Sequence, residues 1–93
     1  MKLGNRIVAV EVPKFPVVKL TYADGFTAIM DFSEKISWGD AVQPLRDPEL
    51  FKTAHVGSGG ASLEWVAPNG EEIDFCADAL RLEAEALSTS AAE

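Results

Sequence analysis

The sequence predicts an α+β fold: a small antiparallel sheet of about five strands, an N-terminal strand plus two hairpins, with a short central helix and a C-terminal helix. Three observations lead there. Alternating apolar residues flank two glycine turns, Asp24-Gly25 and Asn69-Gly70. Asp47-Pro48-Glu49 reads as a helix start. Ala77, Leu80, Ala84 and Leu87 recur at helical spacing close to the end of the chain.

Residues 6–13 form the first strand, because Ile7, Val8, Val10 and Val12 are β-branched and Pro13 closes the run. Residues 17–22 and 26–32 form the first hairpin. A two-residue loop would place Val18, Leu20 and Tyr22 opposite in face to Phe26, Ala28 and Met30. A three-residue loop, Ala23-Asp24-Gly25, brings both sets onto one face, with Gly25 in the left-handed position. The second hairpin, residues 61–67 and 71–75, follows the same logic around Pro68-Asn69-Gly70. Its loop pairs Trp65 with Ile73 and Leu63 with Phe75.

Between the hairpins, Asp47 suits the N-cap and Pro48 the first helical position, while Leu50 and Phe51 would plug the core. Gly57-Ser58-Gly59-Gly60 reads as a flexible connector. It is no phosphate loop, since neither Lys-Ser nor Lys-Thr follows it and a strand comes next. In the C-terminal helix Asp78 favours the N-terminal end, and Arg81 can reach Asp78 or Glu85. Ninety-three residues make one domain, set at residues 1–87, with residues 88–93 as a frayed tail.

Charge narrows the function classes. The chain carries −7 overall, and its second half holds most of it: residues 1–46 have six basic and five acidic groups, residues 47–93 two and ten. Such a chain repels phosphate backbones and anionic lipid, so neither direct nucleic-acid binding nor membrane binding is expected. The longest apolar run, Ile7 to Val10, falls far short of the ~20 residues that span a bilayer. Cys76 is the sole cysteine and no signal peptide is visible, which points to the reducing cytoplasm. Cys76 is expected as a buried structural thiol; His55, the one histidine, is not near it in sequence.

The second hairpin's register puts Glu64 opposite Asp74 and Val66 opposite Glu72 on an outward face. These three acids are the candidate partner contacts. They could instead converge on a hard cation, although no calcium-loop spacing is present; a solvated face is the preferred reading. Trp65 belongs to the core face by alternation. Trp38, in Ser37-Trp38-Gly39-Asp40, either covers the core or protrudes as a binding anchor. No nucleophile–base spacing supports an enzyme, and no catalytic residue or cofactor is assigned.

Tyr22-Ala23-Asp24-Gly25-Phe26, Asp31-Phe32, Pro44 to Phe51, Leu63-Glu64-Trp65, Asn69-Gly70, Ile73 and Asp78-Ala79-Leu80 follow one another in that order, and in this they resemble the small bacterial proteins of domain-of-unknown-function family 2442. Two departures stand out: Val66-Ala67 separates Trp65 from the turn, and Arg81-Leu82 replaces a closing aromatic. The resemblance implies a compact α+β domain. It also implies relatives that are fused to a DNA-binding domain or encoded beside a second small protein. With no such fusion visible here, a regulatory part is expected to run through a partner.

The expectation is therefore a non-enzymatic protein-interaction module, the acidic member of a two-protein bacterial pair of toxin–antitoxin or regulatory kind, contacting a basic partner through Glu64, Glu72, Asp74 and Trp38. The alternatives are a small metal- or ligand-binding protein using the acidic strand face, and a structural homodimer joined through a sheet edge.

Overall fold

A computed structural model describes residues 5–92, and their side chains as far as residue 86. β-Branched residues set β1 (Ile7–Lys14), which turns at Phe15-Pro16, a cis peptide, into β2 (Val17–Tyr22) and then β3 (Thr27–Asp31). After two 3₁₀ turns, Lys35–Ser37 and Asp40–Arg46, come α1 (Pro48–Phe51) and β4 (His55–Val56). A 3₁₀ turn at Ser58–Gly60 leads to β5 (Ser62–Val66), β6 (Glu72–Cys76) and α2 (Ala77–Ala92). Residues 88–93 of the expected tail, and the side chain of Leu87, lie outside what is described at side-chain level.

The strands form two antiparallel sheets, β1-β2-β3 and β4-β5-β6, not one sheet of about five. β1 runs beside β4, yet no ladder joins them. Two register shifts bend β1, and β4 is only two residues long, so neither offers a regular edge to the other. One shift makes Val8 the extra residue between Ile7 and Ala9, which leaves it exposed.

Both hairpin registers follow the three-residue loops. Val18 pairs with Met30 and Leu20 with Ala28; Leu63 pairs with Phe75 and Trp65 with Ile73. The two turns are built alike. Gly25 N–H donates to the Tyr22 carbonyl (2.9 Å) and Gly70 N–H to that of Ala67 (2.8 Å). Asp24 and Asn69 each accept the N–H two residues on. Gly25 and Gly70 sit at φ +93° and +91°, where a Cβ would be strained.

The core lies between the sheets. Phe32, just past β3, meets Phe51, Trp65 and Phe75 at centroid distances of 6.1, 6.0 and 5.3 Å, so one ring ties the first sheet to α1 and the second sheet. Trp65 is fully buried and its indole N–H donates to the Phe51 carbonyl at 2.8 Å. Asp47 caps α1 by accepting Glu49 N–H, with Pro48 in the first turn. In α2 the buried residues Ala77, Leu80 and Ala84 form the expected stripe.

The glycine segment at residues 57–60 is no loose connector. A Cβ on Gly60 would stand 2.6 Å from the Ile7 carbonyl oxygen, so the turn is pressed against the start of β1. Such close approach is a use of glycine that composition does not distinguish from flexibility.

Candidate functional site

The outer face of the second sheet carries the candidate residues. Alternation along β5 sends Leu63 and Trp65 inward and Ser62, Glu64 and Val66 outward. On β6 the outward set is Glu72, Asp74 and Cys76. The register places Glu64 directly opposite Asp74, and Glu72 opposite Val66. On the other flank His55 of β4 faces Glu64, giving a row His55–Glu64–Asp74 across three strands.

Glu64 is the most enclosed of the three acids. Ser62 Oγ donates to its Oε2 at 2.6 Å, and His55 Nε2 lies 3.6 Å from Oε1. Its carboxylate also covers Gly57, where a Cβ would collide with it. Glu72 and Asp74 are exposed. Opposed carboxylates repel, so this register is held by the apolar pairs on the inner face and against the charge on the outer one.

Glu64, Glu72 and Asp74 are thus brought together on one face. Trp38 is not among them. It stands on the segment between the sheets, 65% exposed, with the Lys35 ammonium 5.7 Å from its ring centre. Lys35 itself is buried and ion-paired with Glu83 of α2. Trp38 therefore protrudes rather than covering the core.

Cys76 is exposed, contrary to the expected buried thiol. It shares the parity of Glu72 and Asp74, and that alternation carries it outward. Cys76 pairs with Ser62 and His55 with Glu64, so thiol and imidazole lie two strands apart, roughly 10 Å by strand spacing. Such a separation forms no nucleophile–base pair. Among the described residues no group of three or more His, Cys, Asp or Glu is placed to hold a metal ion, so the three acids do not converge as a ligand set.

An open depression near the start of α2 is lined by Arg6, Ser58, Gly59, Cys76 and Asp78. There Asp78 accepts the Asn5 N–H at 2.7 Å, tying the N-terminal segment to the helix start. Arg81, expected to reach Asp78 or Glu85, binds Glu85 at 2.6 Å and, on the far side, Asp24. His55 was not signalled as a neighbour of Glu64, because a two-residue strand has no periodicity to read, whereas Ser62 shares the parity of Glu64 along β5.

Among the described residues no helix is long and apolar enough to cross a membrane. The comparisons with known proteins add no relative: no family model, no curated protein and no solved structure matches the chain.

Proposed function

We propose that this domain is a non-enzymatic protein-interaction module that presents the outer face of β5 and β6 to a basic partner. The observation that carries the reading is the directly opposed pair Glu64–Asp74, extended by exposed Glu72. Keeping like charges across a strand pair lowers stability, and an acidic patch is useful for steering and selecting a positively charged partner. The exposed Val66 beside Glu72 supplies apolar contact within the same face. Exposed Trp38 is a separate anchor, on its own surface.

The proposal extends to the setting: a free thiol suited to the bacterial cytoplasm, and a role as the acidic half of a two-protein pair, in line with the resemblance to family 2442. Affinity purification of the tagged chain from its host at low and at moderate salt tests it. An exposed charge patch loses its partner as salt shortens the screening length below about 10 Å. A basic protein retained at low salt and shed at moderate salt is the expected result. A partner held equally at both, or none at all, contradicts it.

A further inference from the structure

We propose that β3 is an edge at which a second copy of this chain adds as an antiparallel strand, across a two-fold axis passing through Ile29. The inference is independent of the acidic face. Among the described residues β3 has a ladder on one side only, with β2. The other sheet margins are protected in the ways that edge strands usually are. β1 is bulged, contains Pro13 and has β4 beside it. β4 is two residues long, and β6 points Glu72 and Asp74 outward, so a second β6 would meet like charge. β3 pairs with β2 in unbroken register, has neither proline nor lysine, and exposes Ile29 at its centre to 68%.

Its backbone is turned the right way. Ladder bonds join Tyr22 N–H to Phe26 and Phe32 N–H to Pro16, both at 2.8 Å. The pairs of that parity between them, Leu20–Ala28 and Val18–Met30, bond within the hairpin, so Thr27, Ile29 and Asp31 direct N–H and C=O to the open side. α2 meets this end of the sheet from within: the Arg81 guanidinium lies over the Phe26 and Tyr22 rings, 4.0 and 5.1 Å from their centres. Ile29 faces the opposite way.

The sequence Thr27-Ala28-Ile29-Met30-Asp31 is self-complementary about its centre. Ile29 would face Ile29 of the second copy, and Thr27 would face Asp31, a hydroxyl against a carboxylate. On the inner face Ala28 would face Met30, small against large. The outer row would read Glu11, Lys19, Ile29 and then the mirrored order, with apolar contact at the axis and opposite charges behind it. Charge also favours this end. Between residues 5 and 31, Arg6, Lys14 and Lys19 balance Glu11, Asp24 and Asp31. Joined here, two copies put neutral halves together and hold their acidic halves apart. A five-residue edge buries little area, so the dimer is weak and concentration-dependent.

Sedimentation of the full chain over a concentration series, up to about 1 mM, tests this. Wild type should pass from monomer to dimer. Ile29→Lys sets two ammonium groups at the axis and should remain monomeric. Thr27→Glu opposes Asp31 twice and should weaken the dimer about tenfold, whereas Thr27→Lys should hold or tighten it. Thermal melting in dilute solution confirms that each variant folds. A strictly monomeric wild type overturns the proposal, as does a dimer indifferent to Ile29→Lys, or Thr27→Glu and Thr27→Lys acting alike. A monomer that captures another protein's strand at this edge, and loses it in Ile29→Lys, overturns the assignment to a second copy.

Discussion

Arg81 of α2 grips Asp24 in the β2–β3 turn with both terminal nitrogens, at 3.2 and 2.9 Å, across 57 residues of sequence. The same guanidinium lies on the Phe26 and Tyr22 rings and donates from Nε to Glu85. Its hydrogen bonds to Asp24 hold its pKa above the ordinary value. One side chain thus fastens the helix to the first sheet.

Arg81→Ala should lower the unfolding free energy by about 2 kcal/mol, from a lost bidentate charged contact and lost ring stacking. Arg81→Lys should recover less than half of this, because an ammonium cannot pair as a fork or lie flat on a ring. Urea unfolding measures both. Equal stability of the Lys variant and wild type would show that charge alone suffices.

Tyr22 gives a pH signature. Its hydroxyl donates to the Ala77 carbonyl at 3.0 Å, and burial pushes its pKa up to about 12, against the opposing pull of Arg81. The folded state therefore prefers the neutral phenol. Stability from this source is complete below the unfolded value of 10.0 and is lost as pH rises from there through about 12. Tyr22 is the only tyrosine, so tyrosinate absorbance reports it alone. The native chain should titrate near 12 or unfold within that window, while the chain in denaturant titrates near 10. A native midpoint near 10 would contradict the burial.

Gly60 and Gly59 separate crowding from backbone strain. Both have positive φ, but a Cβ meets nothing within 4 Å at Gly59 and the Ile7 carbonyl at 2.6 Å at Gly60. Gly59→Ala should cost about 1 kcal/mol through the left-handed backbone. Gly60→Ala should cost roughly 2–3 kcal/mol, because strain and a backbone clash add. Thermal melts of the two variants decide it; equal losses would mean that the turn yields.

Opposed Glu64 and Asp74 make a prediction of opposite sign. Asp74→Lys turns a repelling pair into an attracting one and should raise stability by roughly 0.5 kcal/mol, read in urea. A loss of stability would mean that the two carboxylates are not held as a repelling pair.

What could be read from the residues was what strand parity controls. Only a three-residue loop keeps Val18, Leu20 and Tyr22 with Phe26, Ala28 and Met30, and the same reasoning opposes Glu64 to Asp74. Parity also exposes Cys76, a signal outweighed by the general tendency of free cysteines to be buried. The division into two sheets was not legible, since it rests on the register shifts of β1 and on the two-residue length of β4, neither of which periodicity announces. Nor were the Arg81–Asp24 clamp or the Gly60–Ile7 contact, which join residues distant in sequence with no periodicity to announce them.

The most direct test of the acidic face is partner capture by wild type and by the double variant Glu72→Lys/Asp74→Lys, compared side by side at low salt. Both positions are exposed, so the reversal leaves the core intact. A basic protein recovered with wild type and absent with the variant is the predicted result. Equal recovery by the two chains would contradict the account.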